Sequence, residues 1–201
     1  MSEIKPILSI IAIAMMVVGY IPYLRDTIKG KTKPHVFSWF VGVIIAFVAF
    51  GIQFQSQSGP GMYVTLSAGM VGLVILFFAL KNKDKDITRM DYVYLALSMV
   101  SLMLWLFAKR PVLSMIFIVL TEILSFIPTI RKSWHAPYTE TLSSYITNFF
   151  RFIIAILALK NYSFVSVGYP ATWLLLNGGF ALLLMYRRSL VDPSVDKQPK
   201  A

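Results

Sequence analysis

Apolar residues along the chain are gathered into blocks of roughly 20, separated by short stretches rich in Lys, Pro, Gly and Ser. A hydrocarbon core about 30 Å thick takes about 20 residues of helix, so each block predicts a membrane span. Seven are predicted, at residues 6–24, 37–55, 60–80, 92–108, 111–130, 142–159 and 165–186. Residues 36–80 carry no charge and are too long for one span; "QSQSGPG" divides them, its Gly and Pro marking a turn. The first block has no strongly charged flank ahead of it and no small-residue cleavage site, so it reads as a span and not as a signal peptide.

Composition agrees with this division. The 201 residues are 57% apolar and 14% charged, against about 25% charged in ordinary soluble domains, and mean hydropathy is +0.70. The net charge of +10 does not point to nucleic acid, because the cations sit in short clusters between apolar blocks and not along one polar face. Their distribution fixes an orientation. Loops after spans 1, 3 and 5 and the C-terminal tail hold 14 of the 19 Lys and Arg, the other side holds Lys5, Lys109, Arg110 and Lys160, and Arg151 falls inside span 6. By the excess of cations on cytoplasmic loops, the N-terminus is expected outside and the C-terminus in the cytoplasm. The absence of cysteine excludes a disulfide framework and thiolate metal sites.

The chain also repeats itself. "KPILSI" at Lys5 matches "RPVLSM" at Arg110, each placing Pro where a starting helix loses no hydrogen bond. At an offset of 106 residues, Ile21, Pro22, Arg25 and Ser38 pair with Ile127, Pro128, Arg131 and Ser144, and Trp39 with Tyr145. After a four-residue insertion, Pro60, Tyr63, Ser67 and Gly69 align with Pro170, Trp173, Asn177 and Gly179. The organisation expected is a three-span repeat at residues 5–82, a linker span at 83–109, a second repeat at 110–188 and a disordered cytoplasmic tail at 189–201. One odd linker span gives both repeats the same orientation, the parallel-repeat plan of one class of transporters, whose site lies at the repeat interface near mid-depth.

This all-α polytopic pattern, three spans, one linker and three spans, resembles the SWEET and PQ-loop superfamily over nearly the whole chain. Its Pro-Gln motif is half present: Pro22 and Pro128 stand in place, followed by Tyr23 and Thr129 where the family has Gln, then by basic loops and by Ser38 and Ser144. The second proline pair that sugar carriers add is replaced by Val41 and Thr147. The resemblance implies a carrier of a small polar solute, a sugar by default, with Pro22 and Pro128 as hinges, and it implies pocket residues at Asn177 and, in place of a second Asn, Ser67. Asn177 and Trp173 are four apart and share a helical face, where an amide beside an indole suits a polar ring or planar solute; Tyr63 is the repeat partner of Trp173. An amino acid, vitamin or nucleoside carrier, proton-coupled or passive, and a non-transporting receptor on the same scaffold are the alternatives. The membrane expected is the plasma membrane, and homo-oligomers are open.

Two ionisable residues lie deep in apolar blocks, Glu122 in "IVLTEILSF" and Arg151 in "TNFFRFIIAIL". Charges at that depth cost several kcal/mol unless paired or hydrated. Counted from the cytoplasmic side both lie about 13–16 Å along consecutive helices, so they are expected to pair, with Asn148 on the face of Arg151 extending a polar strip. Gln53 and Gln55 approach the far end of span 2 and suit an entrance. His35 and His135 read as loop residues and "KNKDKDITRMD" as a solvated connection. No phosphate-binding glycine motif, metal-ligand cluster or catalytic triad can be assembled, so no enzyme, cofactor or metal is expected. The partners expected are the bilayer and a small polar solute.

Overall fold

Helices account for all the regular structure in the computed structural model, which describes residues 4–82, 86–107 and 110–192. They are α1 (Ile4–Ile28), α2 (Val36–Gln55), α3 (Met62–Lys81), α4 (Arg89–Phe107), α5 (Pro111–His135), α6 (Leu142–Leu157) and α7 (Phe164–Leu190), with a 3-10 turn at Pro137–Thr139 before α6. Six of the seven are long and apolar enough to cross a membrane; α6 has 16 residues, about 24 Å of helix. The apolar side chains left outward include Val18, Met103, Leu106, Leu175 and Leu182, each more than 60% exposed. A surface this apolar suits hydrocarbon and not water, and the chain is a multi-pass membrane protein. Residues 83–85, 108–109 and most of the expected tail, 193–201, lie outside the described residues, and α7 runs to Leu190, into the start of that tail.

Each boundary has a local cause. Thr88 begins α4, its backbone N–H and its hydroxyl both donating to Oδ2 of Asp91, at 2.7 and 3.0 Å, from the third helical position. Pro111 opens α5 in the first turn, and Ser163 caps α7 by accepting from the Ser166 N–H. The α2–α3 turn is made by Gln57 and Gly59 at φ 47° and 91°. A Cβ on Gly59 would stand 2.5 Å from Lys160 Cβ, so the backbone there needs both the left-handed conformation and the missing side chain.

Pro22 and Pro128 sit inside α1 and α5, which continue unbroken as 25-residue helices. Pro170 lies six residues into α7, whereas Pro60, its repeat partner, lies in the turn before α3. Because Pro170 has no N–H, the Ser166 carbonyl four residues back is left without its helical donor. Gln53 of α2 supplies one, its Nε2 donating to Ser166 O at 3.1 Å. Gln53 is fully buried and closes the bundle where an entrance was expected.

In packing, α3 lies against both α1 and α2, and α7 lies against both α5 and α6. Across these groups α1 packs on α6 and α2 on α5, while α4 packs on α5 and α2. The α1–α6 approach is close at Gly19, where a Cβ would meet Thr147 Cγ2 at 2.7 Å, and the Gly19 carbonyl accepts from Ser144 Oγ at 2.7 Å.

Candidate functional site

A cavity opens among six helices, with about 730 Å³ of space free of atoms when the part open to the outside is counted. Helix α1 contributes Tyr20 and Tyr23; α2 contributes Ser38, Trp39, Gly42, Val43 and Ala46; and α3 contributes Ala68 and Gly72. From the other group come Ser125, Phe126 and Thr129 of α5, Ser144, Tyr145, Asn148, Arg151 and Phe152 of α6, and Tyr169, Trp173 and Asn177 of α7. Helix α4 contributes nothing to the lining. Tyr169, Trp173 and Asn177 follow one another at four-residue steps, one stripe of α7 turned to the cavity.

Of the residues expected in the site, Asn177, Trp173, Asn148 and Arg151 are brought together there. Ser67 and Tyr63 are not: Tyr63 is 47% exposed, and Ser67 Oγ donates to the Tyr63 carbonyl in its own helix. The reason is the different placement of the two prolines. With α3 starting after Pro60 and α7 starting before Pro170, the equivalent stretches present different faces. From α3 the small residues Ala68 and Gly72 line the cavity instead.

Glu122 and Arg151 form no ion pair. Helix α7 packs between α5 and α6 and separates them. The indole N–H of Trp173 donates to Glu122 Oε1, leaving Oε2 buried without a partner. On the other side, Arg151 Nε donates to Asn148 Oδ1 at 2.9 Å, its guanidinium carbon lies 3.9 Å from the centre of the Phe152 ring, and Nη1 is buried without a hydrogen-bond partner. Consecutive helices at equal depth are not neighbours here. Glu122 is 0% exposed and Arg151 1%.

Eight of the twenty lining residues are aromatic. The Trp173 ring is edge-on to Phe126 at 5.7 Å and parallel to Phe152 at 6.5 Å, and Tyr20, Tyr23 and Trp39 form a second cluster. Tyr23 and Thr129, where the resembled family has Gln, both face the cavity: Trp39 Nε1 donates to Tyr23 Oη at 3.2 Å, and Thr129 Oγ1 donates to Ser38 Oγ at 3.0 Å. Their place after the two repeated prolines was the sequence signal for them.

Polar bonds between the two helix groups tie both ends of the bundle. Where α1 starts, Ser58 and Ser166 share a hydroxyl bond of 2.8 Å, the Lys160 N–H donates to Ser58 O at 2.7 Å, and Lys5 Nζ donates to Leu159 O. At the opposite end Thr32 bonds Thr141, the Lys33 N–H donates to Thr139 O at 2.9 Å, and Lys132, 3% exposed, reaches both Lys33 O and Glu140. Glu140 Oε2 accepts from Tyr145 Oη at 2.9 Å, joining this network to the cavity wall.

The same end holds a second charged cluster. Arg131 forks onto Asp91, Nε to Oδ1 at 3.1 Å and Nη2 to Oδ2 at 2.9 Å, and Asp91 is fully buried. His35, also buried, places Nε2 3.5 Å from Asp91 Oδ2. Burial holds the His35 pKa at about 4, against the pull of the Asp91 carboxylate and with help from Lys132. Asp91, at the end of the connection read as solvated, and the histidine read as a loop residue are therefore packed parts of this end, while His135 closes α5. Comparison with protein-family models, with curated proteins and with solved structures finds no match to this chain.

Proposed function

We propose that the chain is a membrane carrier for a small polar solute, a divergent relative of the SWEET and PQ-loop carriers that works by alternating access between two three-helix repeats. The observation that carries this reading is the cavity: polar and aromatic, set within apolar helices, lined from α1–α3 and α5–α7 and not from α4. The packing supports it. In each triplet the third helix lies against the other two, and α1 on α6 mirrors α5 on α2, the pattern that two repeats about one axis would give. On this reading α4 is the linker, the cation-rich end faces the cytoplasm, and the bonds at the two ends are the contacts that open in turn. Pro22 and Pro128 would let α1 and α5 bend below the cavity.

Counterflow in liposomes tests the proposal, with the purified protein and a panel of labelled small solutes. Saturable exchange that empty liposomes lack is expected. Ligand binding in micelles without exchange of any bound solute would overturn the carrier reading in favour of a receptor on this scaffold.

A further inference from the structure

We infer that the cavity takes a small organic monoanion, its carboxylate on Arg151 and its planar or apolar body against Trp173 and Phe152. This rests on the reading of the cavity as the solute site and deepens it from "polar" to "anionic". A buried guanidinium without a counter-charge is costly, and removing or omitting one partner of a buried pair is the expensive arrangement. Among the described residues no carboxylate lines this cavity. Two carboxylates touch lining residues from behind: Glu122 accepts from the Trp173 indole, and Glu140 is held by Lys132 and Tyr145.

The guanidinium is also prepared for one particular approach. Asn148 fixes Nε, the Phe152 ring covers one face, and the buried Nη1 has no hydrogen-bond partner. What is left without a partner is Nη1, which belongs to the planar edge of terminal N–H groups that matches a carboxylate in two parallel bonds. A neutral ring of hydroxyls would leave the charge uncompensated. The lining carries a single cation, which suits one negative charge better than the two of a phosphate monoester. The indole of Trp173, edge-on to Phe126 and parallel to Phe152, offers a flat apolar wall beside that edge.

The test uses the full chain in detergent micelles, with benzoate, its uncharged counterpart benzamide, and phenyl phosphate, followed by tryptophan fluorescence and by thermal shift. Benzoate is expected to bind the native protein at least about tenfold more tightly than benzamide, a difference of one charge-assisted contact, and more tightly than phenyl phosphate. Arg151→Gln is expected to abolish the preference and Arg151→Lys to restore part of it. Benzamide matching benzoate, or benzoate failing to bind at millimolar concentration, overturns the inference on the native protein alone, whether or not the variants fold. Phenyl phosphate binding more tightly than benzoate replaces the monoanion with a phosphate ester. Arg151-dependent benzoate binding without exchange in liposomes leaves the anion site standing and removes the carrier; exchange of neutral solutes that is indifferent to residue 151 does the reverse.

Discussion

Replacing Lys132 with Met tests whether the end of the bundle beside Tyr145 is held by charge. Lys132 and Glu140 are 3% and 1% exposed, and the ammonium reaches both the Glu140 carboxylate and the Lys33 carbonyl, which joins the α1–α2 loop to α5 and to the start of α6. Methionine keeps much of the volume and removes the charge, so the buried Glu140 carboxylate loses the cation bonded to it. Breaking a buried pair from one side costs about 3–5 kcal/mol. Glu140 Oε2 still accepts from Tyr145, which places the expected loss toward the lower bound, about 3 kcal/mol. Lys132→Met with Glu140→Gln removes the stranded charge and is expected to recover at least about half of that loss, since a neutral amide can keep the Tyr145 bond. Thermal unfolding in one detergent, for native protein, both single variants and the double variant, reads the cycle. A double variant no more stable than Lys132→Met alone would refute the argument, because the cost would then lie in lost packing and not in an uncompensated carboxylate.

Other expectations follow from single contacts. Gly59→Ala should cost more than about 1 kcal/mol, since φ is 91° and the new methyl meets Lys160 Cβ at 2.5 Å; thermal unfolding checks it, and a neutral or stabilising change would contradict the turn geometry. Gly19→Ala should cost about 1–3 kcal/mol by overpacking against Thr147, and Thr147→Ser, which removes the Cγ2 in the way, should return part of it. Trp173→Phe should cost about 1–3 kcal/mol by leaving the buried Glu122 carboxyl without its donor, and should weaken benzoate binding as well. His35 is folded with a pKa of about 4 against an ordinary 6.5, so the unfolded chain binds the proton first as pH falls. Stability should therefore be lost between about pH 6.5 and 4, by up to about 3 kcal/mol, and the slope of the native protein in that window should exceed that of His35→Gln measured alongside.

Much of this architecture is legible in the chain because a bilayer imposes a length and a polarity that residues cannot hide. The helices fall on the predicted blocks, and only their ends differ: α5 continues past residue 130 to His135 and α6 stops at Leu157. The site was less legible for two physical reasons. Depth along a helix can be counted, but adjacency cannot. Glu122 and Arg151 count to similar depth, yet α7 packs between their helices; Glu122 takes Trp173 of α7 and Arg151 takes Asn148 of its own helix. Register was the second. A proline aligned in sequence lies in the turn before α3 but inside α7, and Tyr63 and Ser67 stay out of the cavity while Trp173 and Asn177 line it. Asp91 and His35 escaped because hydrophilic residues at the end of a span look solvated until a neighbouring helix, here α5 with Arg131, covers them.

On the carrier reading the bonds at the two ends must open in turn, and their energetics suit that role. In a bilayer, apolar contact alone gives helices little reason to associate, so seams depend on close approach at small residues and on hydrogen bonds averaging about 0.6 kcal/mol each. The end where α1 starts is crossed by four such bonds at 3.1 Å or less, Ser58–Ser166, Lys160–Ser58, Gln53–Ser166 and Lys5–Leu159, which amounts to about 2–3 kcal/mol. Shifting a two-state equilibrium from 99:1 to 1:99 takes about 5.5 kcal/mol. If the chain is the carrier proposed above, closure of one end by these bonds is strong enough to favour one state and weak enough for a bound solute to reverse. The opposite end adds the buried Lys132–Glu140 pair, whose contacts reach the cavity through Tyr145. On that reading a solute that moves Tyr145 acts on that pair, and Lys132→Met with Glu140→Gln, which keeps the shape and removes the charge, should shift the balance between the two ends even where it leaves overall stability nearly unchanged.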